Sequence, residues 1–92
     1  MARATLELPS LLRNVLGGRD TFEVEGETVD EALEHAYTQV PGLRVHLCDE
    51  SGRLRQHVLC FHNDVNTRWI RGGSPRLADG DRITILQAVS GG

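Results

Sequence analysis

The 92-residue sequence finishes with Gly91 and Gly92, directly after Ala88, Val89 and Ser90. The chemistry such an end supports is acyl transfer at its own carboxyl group. Glycine carries no Cβ, so an extended Gly-Gly segment enters a narrow channel and presents an unhindered carboxylate to a nucleotide. Five residues from Ala88 to Gly92 span roughly 17 Å when extended, enough to reach a partner's active site while the folded body stays outside. Glycine is also common at termini that serve only as loose ends, so the pair alone does not decide between the two. The sequence has ten arginines and no lysine. Without an ε-amine no side chain of this protein accepts an acyl group through an isopeptide bond, so in acyl chemistry it is the donor.

Other residue types capable of chemistry have plainer explanations. Cys48 and Cys60 lie in apolar-rich segments with no metal-ligand spacing and are expected as buried free thiols. His57 and His62 flank Cys60, but His57 is expected on the opposite strand face from Cys60 and His62, which leaves too few ligands for a metal. Asp64, Asp79 and Asp81 sit in or beside the turn pairs Asn63-Asp64 and Asp79-Gly80, where carboxylates cap backbone amides, so they are not read as an acid pair. Trp69 has no second aromatic within two positions and is read as packing or surface. Arg68, Arg71, Arg76 and Arg82 are read as a solvated face in preference to a positive rim for a partner.

An apolar fraction of 39%, a charged fraction of 25% and a net charge of −3 describe one soluble globular domain. The arginines form no basic stripe, so nucleic acid is not an expected partner. No stretch is long and apolar enough for a membrane span or a signal peptide, so no membrane association is expected and the default address is the cytoplasm.

The elements that must position the tail follow from periodicity. Ala4, Leu6 and Leu8 alternate with polar residues as a strand, and Pro9 ends it. A short helical turn is expected at Leu11 and Leu12, then a reversal at Gly17-Gly18 and a second strand through Phe22 and Val24, together a hairpin. Thr28 with Glu31 forms a capping box, and Val29, Ala32, Leu33, Ala36, Tyr37 and Val40 make one apolar helical stripe stopped by Pro41-Gly42. Leu43 to Cys48 reads as a short helical turn in preference to a strand. Strands follow at Gln56 to His62, at Val65 to Ile70 and at Arg82 to Leu86. Residues 1–87 are thus the expected folded domain and 88–92 the tail.

The run Leu77-Ala-Asp-Gly-Asp-Arg-Ile-Thr-Ile-Leu-Gln-Ala-Val-Ser-Gly-Gly92 resembles the C-terminal signature of the ThiS and MoaD sulfur carriers, β-grasp proteins related to ubiquitin. Pro9-Ser-Leu-Leu-Arg13, Gly17-Gly18, His62-Asn-Asp64, Gly72-Gly73 and Ala88-Val-Ser-Gly-Gly92 are similar to stretches of the CysO type, with His62 where valine is more usual. The resemblance implies an α+β fold of the β-grasp class, a mixed sheet of four to five strands with one main helix packed on one face. It also implies a carrier with no permanently bound cofactor. A partner resembling ubiquitin-activating enzymes uses ATP and Mg to adenylate the Gly92 carboxylate; a sulfide or persulfide then displaces AMP to leave a thiocarboxylate. Further implied partners are a sulfur-accepting synthase and, for the cysteine route, a zinc-dependent JAMM-type peptidase. Acceptors in cysteine, molybdopterin, thiamin thiazole or related thio-metabolite synthesis all stay open.

In the β-grasp order the last strand lies beside the Val58–Phe61 strand. Val58 and Cys60 are expected to face the helix, while Leu59, Phe61 and Leu86 form an exposed apolar docking patch at the root of Val89, Ser90, Gly91 and Gly92. Two alternatives use the same sequence differently. A protein modifier would end with Gly92 joined to target lysines, and a passive interaction domain would be indifferent to loss of Gly91-Gly92.

Overall fold

A computed structural model describes residues 1–12, 17–67 and 74–87. Strands β1 (Ala2–Glu7) and β2 (Thr21–Gly26) pair antiparallel in the expected hairpin, with Leu6 opposite Phe22 and Ala4 opposite Val24. A 3-10 turn at Ser10–Leu12 fills the start of the connection, and Gly17 and Gly18 adopt positive φ of 67° and 95°, the conformation for which glycine has no steric penalty.

Helix α1 spans Val29–Gln39. Thr28 caps it, its hydroxyl accepting from the Glu31 amide at 3.2 Å. The Glu31 carboxylate accepts from the amide of Glu27 at 3.1 Å, one residue before the position a standard capping box would use. Val29, Ala32, Leu33, Ala36 and Tyr37 are buried as the stripe requires, and Val40 packs on the core as the C-cap, not as a helical residue. A second short helix, α2 (Leu43–Leu47), confirms the turn expected there and buries Leu43 and Leu47.

Strands β3 (Val58–His62), β4 (Val65–Asn66) and β5 (Asp81–Gln87) complete a five-stranded sheet of order β2-β1-β5-β3-β4. β5 runs parallel to β1 and antiparallel to β3, which makes the sheet mixed. The helices cover one face, with Leu6, Val24, Val58, Ile83 and Ile85 beneath them at 0 to 1% exposure. Burial of each such side chain contributes about 1.5–3 kcal/mol.

Two strands are shorter than their expected ranges. β3 begins at Val58, so Gln56 and His57 lie in the preceding turn. β4 ends at Asn66, and the Thr67 hydroxyl donates to the Cys60 carbonyl at 3.1 Å; Arg68, Trp69 and Ile70 lie outside the described residues.

Candidate functional site

Period-two alternation gives the sheet two unlike faces. On β3, Val58 and Cys60 are buried towards the helices, while Leu59 and Phe61 point to the opposite face. On β5, Ile83 and Ile85 are buried and Arg82, Thr84 and Leu86 point away. The register sets Leu59 directly opposite Leu86 and Phe61 opposite Thr84. The three apolar residues are therefore neighbours, but they are not equally open. Leu86 is 45% exposed, whereas Leu59 and Phe61 are half-buried. Cross-strand neighbours account for the difference at Phe61, which lies between Thr84 on β5 and Asn66 on β4.

The rest of that face has a different character. Arg82 pairs with Glu7 at 3.3 Å, and Arg3 reaches Glu25 at 3.6 Å and Glu23 at 3.9 Å. These exposed pairs are solvated and contribute little to stability. The outer face thus carries paired charges over β2, β1 and the start of β5, and an apolar region over β3 and the end of β5. Gln87, the last residue of β5, pairs with Val58, so the chain leaves the sheet beside the apolar region. Val89, Ser90, Gly91 and Gly92 lie outside the described residues.

A polar corner fixes the start of β5. Asp81 accepts from the Ala78 amide at 2.9 Å, lies 2.7 Å from His62 Nε2, and accepts from the Asn63 side chain at 3.3 Å. These contacts, the Ala78 amide first, hold its carboxyl below the usual carboxylate range. Asn63 takes a positive φ of 55°, and its side-chain oxygen accepts from the Arg82 amide at 2.9 Å. Asp79 accepts from the Arg3 amide at 2.9 Å. Asp79 and Asp81 are therefore engaged with the backbone, as turn chemistry predicts, while Asp64 is exposed in its turn. The sequence marks Asn63-Asp64 as a turn, and the left-handed conformation of Asn63 is what the structure adds to that reading.

The thiols are poorly suited to nucleophilic chemistry. Cys48 and Cys60 are both free and buried. Burial pushes the Cys60 thiol up to about 11, far from the thiolate form that attacks electrophiles. Cys48 lies 3.3 Å from the Tyr37 hydroxyl, whose own ionisation is displaced upward chiefly by burial. Arg44 stacks over the Tyr37 ring at 4.6 Å and is paired with Glu34. His57 is exposed before β3 and not on a strand face, which corrects its expected placement; the strand begins one residue later. Among the described residues no three His, Cys, Asp or Glu side chains converge on a point where a metal ion would sit. No helix among them is long and apolar enough to cross a membrane. Arg76 and Arg82 are exposed, while Arg68 and Arg71 lie outside the described residues.

Comparison with known proteins gives this geometry a context. A family model described as "ThiS family" matches residues 6–92. The sulfur carrier protein CysO of Mycobacterium tuberculosis is 33% identical over 90 residues, 96% of this chain and 97% of that protein. The fold superposes with a TM-score of 0.84 and 32% identity on a chain of the Amycolatopsis orientalis BexX/CysO complex, over 97% of this chain and 99% of the other. The small archaeal modifier protein 1 of Methanosarcina acetivorans aligns with a TM-score of 0.81 and 30% identity, over 100% of this chain and 98% of that one.

Proposed function

This chain belongs to the ThiS family, with sulfur carrier proteins of the CysO kind among its relatives, and on that premise we propose that its cargo rides on the α-carboxyl of Gly92. The observation that carries the proposal is the course of β5. The signature Asp79-Gly80-Asp81 opens it, Ile83 and Ile85 anchor it in the core, and it ends at Gln87 beside Leu86 and Leu59. The strand thereby ends beside an apolar surface on which a partner is able to seat. The family match continuing through residue 92 supports the same assignment.

A carboxylate resists attack until one of its oxygens becomes part of a leaving group. In the proposed sequence the Gly92 carboxylate attacks the α-phosphorus of ATP and expels pyrophosphate. Hydrosulfide then attacks the acyl carbon of the adenylate and AMP departs, which leaves the thiocarboxylate. The terminal sulfur is afterwards the nucleophile that a synthase passes to its substrate. The activating partner supplies Mg, the nucleotide site and the catalytic groups; this chain supplies tethering and orientation. Leu59, Phe61 and Leu86 form the contact surface for that partner, and the crystallised complex of a CysO with BexX supports protein docking as a property of such carriers. A sulfur-accepting synthase, and on the cysteine route a JAMM-type zinc peptidase, read the same tail later.

The test is ATP-dependent sulfur incorporation. Incubation with the activating enzyme, MgATP and sulfide is expected to exchange one oxygen for one sulfur in the intact mass. An unchanged mass, with pyrophosphate release confirmed for a control carrier, would count against the assignment. The likeness to an archaeal modifier protein supports a second use, conjugation of Gly92 to lysines of other proteins. Higher-mass adducts that resist thiol reduction and carry Gly92 on a lysine would favour it.

A further inference from the structure

Asp30, Leu33, Glu34 and Tyr37 follow at i, i+3, i+4 and i+7 and so share one side of α1. Leu33 and Tyr37 are buried, while Asp30 and Glu34 are exposed at their margin. The facing wall is the turn from Cys48 to Leu54, closed by a bridge between those two residues. Its shape is fixed by Asp49, whose carboxylate accepts from the Ser51 amide at 2.9 Å, the Ser51 hydroxyl at 2.6 Å and the Arg53 amide at 3.2 Å. Helix and turn together bound a cleft of about 410 Å³.

That volume is typical of small-molecule sites, which span about 300–1,000 Å³ and combine an apolar base with a few placed polar groups. Here the base is Leu33, Tyr37, Cys48 and Leu54, and the rim is charged. Glu34 is already satisfied by Arg44, which stacks on the Tyr37 ring, and Asp49 is engaged by its own turn. Asp30 on the helix and Arg53 on the turn are left, neither with an ion-pair partner among the described residues. Unpaired charges of opposite sign, one on each wall of an apolar cleft, complement a ligand that is both cation and anion and carries an apolar group.

We propose that this cleft binds a free α-amino acid with an apolar side chain, its ammonium against Asp30, its carboxylate against Arg53 and its side chain over Leu33 and Leu54. The guanidinium fork matches the geometry of a carboxylate, and an ammonium group has only donors to offer the acceptor oxygens of Asp30. A purely apolar molecule would leave both rim charges unanswered, and a singly charged one would leave one. The cleft lies on the helix side of the sheet, whereas Leu59, Phe61 and Leu86 lie on the outer face, so an occupied cleft leaves that docking surface uncovered. The inference stands on the α1 cleft and is independent of what Gly92 carries.

Titration of the isotope-labelled protein with L-leucine, followed through amide chemical shifts at constant pH and ionic strength, tests it. Saturating shifts are expected at Leu33, Tyr37, Arg53 and Leu54 with a Kd on the order of 1 mM, the weak affinity that exposed charge contacts support. N-acetyl-L-leucine, which lacks the ammonium, and L-leucinamide, which lacks the carboxylate, are each expected to bind about fivefold more weakly. Asp30→Asn should abolish the preference for leucine over the acetylated form, and Arg53→Gln the preference over the amide. Unchanged shifts at Val24 and Ile85 report that each variant keeps its core, and the ligand series on the wild type stands without either variant. The proposal is overturned if leucine produces no saturable shifts, if the shifts fall outside the cleft, or if the three ligands bind alike. It is equally overturned if both folded variants keep both preferences.

Discussion

Replacing Gly26 with alanine tests the closeness of α1 to β2, on which the position of the helix over the sheet depends. A Cβ at this site would stand 2.6 Å from the Ala32 nitrogen, 2.9 Å from Glu31 Cβ and 3.0 Å from the Glu31 carbonyl carbon, where ordinary contact begins at 3.4 Å. Two of these three atoms are helix backbone, so no rotamer change relieves the overlap and α1 must recede by most of an ångström. Overpacking of this kind costs about 1–3 kcal/mol. Gly26 does not have a positive φ, so alanine also restricts the unfolded chain and returns about 0.4–1 kcal/mol. The net expectation is a loss of about 1–2 kcal/mol, which lowers the midpoint of a thermal melt by roughly 5–15 °C for a domain of this size. Circular dichroism melts, with urea titrations as a second measure, read this directly. A Gly26→Ala variant as stable as the parent would refute the close-contact geometry.

Phe61→Asp is expected to leave the melt within about 1 kcal/mol of the parent, since Phe61 is only half-buried, yet to lower kcat/KM for adenylation about tenfold or more, as loss of an interface anchor does. Wild-type rates in that variant would remove Phe61 from the docking surface. Asp81→Asn is expected to cost about 1 kcal/mol at neutral pH through its weakened contacts with His62 and the Ala78 amide. Because folding lowers the Asp81 pKa, its contribution is present above the unfolded-state value and fades as pH falls through the folded one. The stability gap between parent and Asp81→Asn should therefore close in acid; urea titrations from neutral pH downward that show a constant gap would contradict this.

Local chemistry made much of the fold legible. Thr28 and Glu31 mark the start of α1 because a cap acts within one turn, and the Val29–Tyr37 stripe states which face is buried. The alternation in Val58–Phe61 separates the two faces of β3 without knowledge of its neighbours. Long-range contacts were less accessible. Glu31 reaches Glu27 while Thr28 makes a bridge to Arg76, a pairing 48 positions away that no local pattern announces. The half-burial of Leu59 and Phe61 depends on which strands flank them. His35 gave no signal at all, because its partner is a backbone amide on another element. The tail is the opposite case: its meaning was carried by residue type and sequence likeness alone.

The most direct measurement places the sulfur. Top-down fragmentation of the chain after reaction with activating enzyme, MgATP and sulfide should show the added mass on the fragment containing Gly92. A version extended by one untrimmed residue after Gly92 should acquire none. Sulfur found on Cys48 or Cys60, or undiminished transfer by the extended chain, would contradict the assignment of Gly92 as the site that carries it.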